Sequence, residues 1–230
     1  MNIKSKEELV KDLSKTKLAQ TLDKKDFDKI ANNATVVMYK KGETIFKQGS
    51  FISQFAILVQ GLCKITVENP MNEPGTIISI QKPISLVGVM SFSDEIYNAT
   101  ASAMCDSIVV FVQKDDFSNA MKTNVKFANE MFEQLCNYAK RFCRQIVDFG
   151  QKSIMSRVAS SILYISDLVG DDFIDIPISR NDLAEYSGIA TGSTIRLLSE
   201  LEKAGIVILD KKTIRIKNKK ELIRISQGEE

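Results

Sequence analysis

The fold of the C-terminal part of this chain is decided by the stretch from Ser179 to Ala204, which reads SRNDLAEYSGIATGSTIRLLSELEKA. Ser179 is followed three residues later by Asp182, a pairing that resembles a capping box at a helix start. Gly188 tolerates the positive φ with which helices commonly end. We therefore predict two short helices joined by a tight turn, with the second helix beginning near Thr191.

The second of these helices is predicted to bury one face and expose the other. Helical periodicity places on the buried face Thr194, Leu197, Leu198 and Leu201. The opposite face carries Ser193, Arg196, Ser199, Glu200 and Lys203. Hydroxyl groups and a guanidinium near a helix N-terminus suit the floor of a DNA major groove, where arginine donates to both guanine acceptors. The pattern indicates a DNA-reading helix-turn-helix, although an ordinary helical hairpin has the same spacing.

A β-hairpin is predicted directly after the second helix. Ile206–Leu209 is apolar, Asp210–Lys212 is a polar turn, and Thr213–Lys217 alternates strictly. A hairpin in this place is typical of the wing of a winged helix. Its basic side chains, which suit either a phosphate backbone or an ordinary solvated surface, are Lys211, Lys212, Arg215, Lys217 and Lys219.

The composition is that of a globular chain large enough for two domains, with 230 residues, 44% of them hydrophobic and 26% charged. The formal net charge of +2 means that affinity for nucleic acid must come from a local patch. The N-terminus lacks the apolar core of a signal peptide, and no apolar run reaches membrane-spanning length. We therefore expect a cytoplasmic protein that does not contact membranes.

Cysteine and histidine usage argues against metal and catalytic chemistry. The four cysteines are widely spaced, and there is no histidine, the commonest metal ligand and general base. Small-hydrophobe packing is the expected role of the cysteines, and a cysteine-based redox or metal sensor is the alternative. Because no nucleophile–base pair, metal triad or phosphate loop is visible, we expect no catalytic residue, no metal, no cofactor and no enzyme.

Residues 5–33 have a helical pattern, and short β-rich runs follow between Ala34 and Val112. Ser5 with Glu8 predicts a helix cap, and Leu22–Phe27 predicts the opening of a second short helix. The predicted strands are Thr35–Tyr39, Thr44–Phe46, Gln54–Val59, Cys63–Glu68, Thr76–Ile80 and Ser107–Val112. Many short strands separated by glycine turns predict a β-barrel or jelly roll.

Helices resume at Phe117 and extend to Phe149, first as a short helix and then as a long one. Apolar residues recur at alternating spacings of four and three, at Ala128, Phe132, Leu135, Ala139, Phe142, Ile146 and Phe149. This heptad seam predicts a dimerisation helix. Its predicted interface residues are Phe132, Leu135, Ala139, Phe142 and Ile146. A further amphipathic helix is predicted at Ile154–Val169, and a short strand at Ile174–Ile178.

These features, in this order, resemble the Crp/Fnr family of bacterial transcription regulators over nearly the whole chain. The motifs that resemble it are Lys41–Gly49 (KGETIFKQG), Phe55–Gly61 (FAILVQG), Leu86–Gly88 (LVG) and Ser179–Glu202 with its wing. The resemblance implies an α+β fold: an N-terminal cyclic-nucleotide-binding-type β jelly roll, a long dimerisation helix and a C-terminal winged helix-turn-helix. We expect the N-terminal helices and effector-type barrel at 1–114, the dimerisation helix at 115–149 and the winged-helix domain at 150–230.

The resemblance also implies partners, namely a second copy of the chain, double-stranded DNA and RNA polymerase. A two-fold dimer reads a pseudo-palindromic operator whose half-sites lie about 34–36 Å apart. The alternative interpretation is an effector-binding barrel whose winged helix serves mainly in protein–protein interaction.

The effector pocket departs from the cyclic-AMP-responsive members of the family. In those members a glutamate takes the ribose hydroxyl and an arginine takes the cyclic phosphate. Here Val89 stands in place of the glutamate, and no lysine or arginine lies between Lys82 and Lys114. Because a buried phosphate without a cation is costly, we expect no response to cyclic AMP or cyclic GMP. The corresponding pocket, which either holds a small, weakly polar ligand or is filled by its own side chains, is lined by Val89, Met90, Tyr97, Asn98, Ala99 and Thr100.

The DNA-contacting positions follow from the same resemblance. Ser179 and Arg180 match positions that clamp phosphates, and Arg196 matches the arginine that reaches guanine. Members of the family carry a glutamate where this chain has Gly192, and its carboxylate accepts a hydrogen bond from a cytosine of the operator. Because this acceptor is missing here, we expect the operator of this protein to differ at the base pair that contains that cytosine. Ile195 lies outside the buried face of the second helix, and we expect its side chain to contact a thymine methyl group. The predicted DNA-binding set is Ser179, Arg180, Thr191, Gly192, Ser193, Arg196 and Lys212.

Overall fold

The computed structural model describes residues 13–14, 16–68, 75–170, 175–211 and 213–229. Within them the chain divides into two compact units. The first comprises the residues up to Ile65 together with Gln81–Lys140, and the second comprises Thr66–Ile80 together with Arg141–Glu230. No helix in the described ranges is both long enough and apolar enough to cross a membrane.

Two short helices precede the strands of the first unit: α1 (Lys17–Gln20) and α2 (Lys24–Asn33). Asp23 caps α2, because its carboxylate accepts a 2.8 Å hydrogen bond from the amide of Asp26. The predicted second short helix is therefore confirmed. The predicted cap formed by Ser5 and Glu8 lies outside the described residues.

Two four-stranded sheets follow, with the strand orders β1-β8-β3-β6 and β2-β7-β4-β5. The strands are β1 (Thr35–Tyr39), β2 (Thr44–Phe46), β3 (Gln54–Gln60), β4 (Cys63–Val67), β5 (Thr76–Gln81), β6 (Ser85–Val87), β7 (Thr100–Ala103) and β8 (Ser107–Gln113). This arrangement confirms the predicted jelly-roll class. Each of the six predicted strands is present, with its ends displaced by no more than one residue.

Strands β6 and β7 were not predicted from the sequence. Strand β6 has three residues, and β7 reads Thr-Ala-Ser-Ala, which lacks the branched and aromatic runs that mark a strand. Both strands exist because a neighbouring strand supplies the hydrogen bonds, as between β3 and β6. A local pattern does not report such pairing.

Aromatic side chains join the helices of the first unit to its β3 strand. Helix α3 (Lys114–Thr123) brings Phe117 to 5.2 Å from Phe55, measured between ring centroids, and Phe127 lies 5.0 Å from Phe117. All three rings are fully buried. Their packing fixes the first turns of the next helix, α4 (Val125–Gln151), whose 27 residues extend over about 40 Å.

Besides the Thr66–Ile80 segment with most of β5, the second unit contains the C-terminal end of α4 and the remaining elements. These are α5 (Ile154–Val169), α6 (Arg180–Ser187), α7 (Thr191–Lys203), β9 (Val207–Asp210), β10 (Thr213–Ile216) and α8 (Lys219–Ser226). Its core is formed by apolar side chains, among them Ile162, Ile165, Ile178, Leu183, Leu198, Ile214 and Leu222. Helix α5 has the predicted bounds, whereas α8 was not predicted.

The prediction of a strand at Ile174–Ile178 is wrong for the described residues of this range. Ile174 lies outside the described residues, and Ile176 alone forms an isolated bridge with Ile214. The amide of Ile176 donates to the carbonyl of Ile214 at 2.8 Å, and the return bond is 3.1 Å. The apolar alternation that suggested a strand instead buries the side chains of Ile176 and Ile178.

Candidate nucleic-acid interface and effector site

The helix-turn-helix begins at a capped residue, as predicted. The hydroxyl of Ser179 accepts from the amide of Asp182 at 3.0 Å and donates to the Asp182 carboxylate at 2.6 Å. Helix α6 ends at Gly188, whose φ of 64° is the left-handed conformation that glycine adopts most easily. A Cβ on Gly188 would lie 3.3 Å from the ring of Phe149, so the turn also has little room for a side chain. Both predicted ends of α6 are confirmed.

Helix α7 has the two faces that its periodicity predicts. Thr194, Leu197, Leu198 and Leu201 are at most 3% exposed. On the opposite face Arg196 is exposed, and its guanidinium donates to the Glu200 carboxylate at 2.9 Å. The side chain of Ile195 is 51% exposed, as expected for a residue off the buried stripe. The i,i+4 spacing of Arg196 and Glu200 could have indicated this pair from the sequence.

The first turn of α7 joins α6 through a side-chain contact. The Thr191 hydroxyl donates to the side-chain oxygen of Asn181 at 3.0 Å. Gly192 is exposed, and a Cβ built on it would meet no atom within 4 Å. Ser193, which follows, is half-buried. The predicted residues Thr191, Gly192, Ser193 and Arg196 therefore share the N-terminal half of one helix.

Arg180 lies against the wing. Its Nη1 atom donates to the backbone carbonyl of Thr213 at 3.1 Å, and its Nη2 atom donates to that of Asp210 at 2.6 Å. The residues it bridges flank the turn between β9 and β10, where Thr213 pairs with Asp210. Local sequence patterns do not indicate these contacts, because they join residues about thirty positions apart. Arg180 thus holds the wing to the start of α6.

The basic residues of the wing are partly neutralised by acidic neighbours. Arg215 donates from Nε and Nη2 to the two carboxylate oxygens of Asp175, at 2.6 and 3.0 Å. This contact lowers the pKa of Asp175 below its usual range. Lys219 pairs with Asp167 at 2.9 Å. Lys211 and Lys217 are exposed, and Lys212 lies outside the described residues.

The predicted effector pocket follows a turn at Gly88, which has a φ of 86° and precedes a short 3-10 helix at Val89–Ser91. Tyr97 is buried, and its ring stacks on Phe46 with centroids 3.8 Å apart. Its hydroxyl donates to the backbone carbonyl of Gln54 at 2.6 Å. Burial raises the pKa of Tyr97 to about 12, so the phenol stays protonated.

The other predicted pocket residues differ in exposure. Ala99 is buried, Val89 and Thr100 are half-buried, and Met90 and Asn98 are exposed. The Thr100 hydroxyl accepts from the amide of Gln48 at 3.0 Å. Only part of the predicted set is therefore buried.

The predicted dimer interface is exposed along α4. The exposed fractions are 66% for Phe132, 44% for Leu135, 43% for Phe142 and 56% for Ile146, and Ala139 is exposed as well. Such large apolar side chains at heptad spacing are rarely left in water on a soluble helix.

The cysteines are unpaired and differ in their surroundings. Cys63 is buried, Cys105 and Cys136 are half-buried, and Cys143 is exposed. Burial raises the pKa of Cys63 and of Cys105, which disfavours the reactive thiolate. In the described part of the chain, no three His, Cys, Asp or Glu side chains are grouped so that they could hold a metal ion.

A jelly roll followed by a winged helix-turn-helix is the domain order of DNA-binding transcription regulators that carry an effector-type domain. Comparisons with known proteins agree. The Cyclic nucleotide-binding domain family matches residues 36–124, and the Crp-like helix-turn-helix domain family matches residues 156–225.

The transcriptional activator protein FnrA of Stutzerimonas stutzeri is 23% identical over 184 residues, which cover 77% of this chain and 74% of FnrA. The global nitrogen regulator of Synechococcus elongatus is 26% identical over 196 residues, which cover 80% of this chain and 86% of that protein. The solved structure of FixK2 from Bradyrhizobium japonicum matches with a TM-score of 0.75 at 21% identity, and covers 84% of this chain and 96% of that chain. The chain belongs to the Crp/Fnr family of bacterial transcription regulators.

Proposed function

We propose that the protein is a homodimeric, sequence-specific DNA-binding transcription regulator that works without a cyclic nucleotide. The observation that carries the proposal is the exposed face of α7, on which Arg196 stands beside Gly192 and Ser193. Arginine is the side chain best suited to donate to the two guanine acceptors of the major groove. Gly192 has no side chain that could accept a hydrogen bond from cytosine, unlike the glutamate that other family members carry at this position. We therefore infer that the operator differs from theirs at the base pair which that glutamate contacts.

The exposed seam of α4 supports the homodimer. Four large apolar side chains lie along one stripe of this helix, and each is at least 43% exposed in the single chain. Pairing two copies of the stripe as a coiled coil would remove this apolar surface from water. A two-fold dimer would also bring two copies of α7 to two half-sites. RNA polymerase is the further partner that the family implies for the DNA-bound dimer.

Independence from cyclic nucleotides is supported by the pocket itself. Tyr97 stacks on Phe46, and its hydroxyl is occupied by the carbonyl of Gln54. A Cβ added at Gly88 would come within 2.9 Å of Phe46, so these rings already pack tightly against the turn. The ammonium of Lys114 donates to the carbonyl of Asp94 at 2.7 Å, which ties it to the loop rather than to a phosphate. These contacts favour a pocket filled by its own side chains.

Selection of bound sequences from a random duplex pool tests the proposal. The full chain should enrich a pseudo-palindrome, and its affinity should fall steeply between about 50 and 200 mM salt because phosphate contacts release counterions. Adding cyclic AMP should leave the enriched sequence and the affinity unchanged. Enrichment of no sequence, with weak binding at both salt concentrations, would favour a winged helix used for protein–protein interaction.

A further inference from the structure

Within the second unit, the last turn of α4 lies against the turn of the helix-turn-helix. The ring of Phe149 comes so close to Gly188 that a Cβ added to this glycine would lie 3.3 Å from the ring. Heptad spacing aligns Phe149 with the seam residues Phe142 and Ile146, yet its ring packs on the turn between α6 and α7. The end of the dimerisation helix therefore contacts the element that carries the DNA-reading helix.

Two side chains from neighbouring helices donate to carbonyl groups at the end of α6, where an α-helix has no partners of its own for its last carbonyls. Gln145 of α4 donates from Nε2 to the carbonyl of Tyr186 at 3.2 Å. Arg157 of α5 donates from Nη1 to the carbonyl of Gly188 at 3.3 Å. The positive charge of Arg157 also suits this end of α6, where the helix dipole is negative. The end of α6 is thus capped from two other helices.

Arg157 connects these two sets of contacts. Its guanidinium carbon lies 5.9 Å from the ring centroid of Phe149, within the range of a cation–π contact. Gln145 and Phe149 are four residues apart, so they lie on the same face of α4, one turn from each other. One face at the end of α4 therefore holds the helix-turn-helix by a hydrogen bond, by a packed ring and, through that ring, by an arginine.

Helix α5 adds further contacts to α6. The hydroxyl groups of Ser187 and Ser161 are hydrogen-bonded at 2.9 Å in a buried contact. The rings of Tyr164 and Tyr186 stack with their centroids 5.7 Å apart. Helix α7 begins at Thr191, directly after this turn, so its orientation follows that of α6 and the turn. The DNA-reading helix is therefore held in a defined orientation relative to the end of α4.

We propose that Gln145 and Phe149 are positioning residues that set the distance and angle between the two DNA-reading helices of the dimer. The inference rests on the proposed homodimer and on its DNA binding. In that dimer Phe142 and Ile146 meet their counterparts in the seam. Gln145 and Phe149 hold the helix-turn-helix to the same two turns of α4, so the seam also fixes the spacing of the two α7 helices. The protein then selects operators by the number of base pairs between the half-sites as well as by their sequence.

The geometry of DNA makes operator spacing a sensitive measure of these contacts. One inserted base pair moves a half-site by about 3.4 Å along the duplex and turns it by about 34–36°. Two helices that are held rigidly cannot follow this movement, so the contact with the second half-site is lost and the affinity falls. Two helices that are held loosely can follow it. A variant that is merely less stable loses affinity for all spacings alike, which separates a positioning role from a structural one.

Gel shift with a series of operator spacings tests the inference. The duplexes carry the palindrome that the unaltered chain enriches from a random pool, with one or two base pairs added or removed between the half-sites. The unaltered chain should lose about tenfold or more in affinity when the spacing changes by one base pair. Phe149→Ala should bind the original duplex about three- to tenfold more weakly, and a change of spacing should cost it less than about threefold more. Its sequence preference within each half-site should stay the same, because α7 is unaltered.

Two further variants complete the test. Gln145→Ala removes the hydrogen bond to Tyr186 and leaves the ring in place, so it should weaken the spacing dependence in the same direction but by less. It decides the question if the melting curve shows that Phe149→Ala is poorly folded. Val147→Ala truncates a 50% exposed apolar side chain on the same turn of α4, and should keep the spacing dependence of the unaltered chain.

Three results would overturn the inference alone. They are an unchanged spacing dependence in both Phe149→Ala and Gln145→Ala, an equal loss of spacing dependence in Val147→Ala, and a monomer of Phe149→Ala in analytical ultracentrifugation, which would place the ring in the seam. Enrichment of no palindrome by the unaltered chain would overturn the proposed function and this inference with it.

Discussion

The long helix α4 and the helix-turn-helix element α7 each leave one face exposed, but the two faces differ in chemistry. On α4 the exposed side chains are large and apolar, with Phe132 at 66% and Ile146 at 56% exposure. On α7 the exposed face is polar apart from Ile195, and Arg196 is paired with Glu200 on the same helix. Exposed apolar surface is unfavourable in water until a partner covers it, whereas a self-paired polar face is stable uncovered.

This difference indicates two kinds of association. The seam on α4 suits a permanent partner, and the face of α7 suits one that is bound and released. Arg196 must leave Glu200, or share its donors, before it can reach a base.

Placing a charge in the seam should abolish the proposed dimer. Leu135→Asp or Phe142→Asp would bury an unpaired carboxylate against the symmetry-related helix. We expect a monomer in analytical ultracentrifugation and a loss of operator affinity of about 100-fold or more, because the second half-site contact is no longer intramolecular. Asn137→Asp adds the same charge to an exposed position off the seam and should leave the dimer intact. A stable dimer in both seam variants would disprove the seam assignment.

Removing the arginine of α7 should reduce specificity without affecting assembly. Arg196→Ala should weaken operator binding by about 1–3 kcal/mol and relax the preference at one guanine in each half-site. Lys203→Ala, at the other end of the same helix, is the matched control. Equal losses on operator and scrambled DNA would mean that Arg196 contacts only phosphate. Glu200→Gln tests the same contact in the opposite direction. It removes the ion-pair partner of Arg196, so the affinity for the operator should rise slightly.

Replacing Arg180 tests whether this residue anchors the wing or contacts a DNA phosphate. Arg180→Ala removes two charge-assisted hydrogen bonds to wing carbonyls, so the free energy of unfolding of the wing should fall by about 1–2 kcal/mol. Hydrogen exchange of the amides in Val207–Ile216 should then be faster in the absence of DNA. Arg224→Ala, on α8, serves as the control.

The salt dependence of DNA binding shows whether Arg180 contacts a phosphate instead. A phosphate contact made by Arg180 would reduce the slope of log K against log salt by about 0.9 when the residue is removed. Unchanged exchange in the wing together with that smaller slope would restore the phosphate-clamp role that the family resemblance implies.

Local patterns predicted the parts of this fold that depend on neighbouring residues. The buried stripe of α7, including Thr194 and Leu201, follows from helical spacing alone, and so do the ends of α6 at Ser179 and Gly188. The six strands predicted from runs rich in β-branched residues are likewise present. Each of these features is determined by residues within one or two turns of it.

Features that depend on distant partners could not be predicted in this way. Arg180 reaches the carbonyls of Asp210 and Thr213, and Tyr97 stacks on Phe46, in each case across many intervening residues. Strand β7 forms because β2 lies beside it, since its own sequence has little strand preference. The Nε atom of Arg157, which is buried without a hydrogen-bond partner among the described residues, likewise could not be identified from the sequence.

The smallest expected effect is that of a cyclic nucleotide. Cyclic AMP or cyclic GMP at millimolar concentration should leave the melting temperature and the operator affinity unchanged. A ligand bound only to the folded state at a hundred times its Kd would add about 2.7 kcal/mol, which raises the melting temperature of a chain of this size by several degrees.

The physical reason lies in the side chains that occupy the pocket. Val89 offers the ribose no acceptor, and the Tyr97 ring, already stacked on Phe46, offers the phosphate no charge. Lys114 could approach only by giving up its 2.7 Å hydrogen bond to the carbonyl of Asp94. Calorimetric titration is the decisive measurement: micromolar binding of either nucleotide would mean that Lys114, or an arginine of α4, supplies the missing charge, and the effector assignment would be reversed.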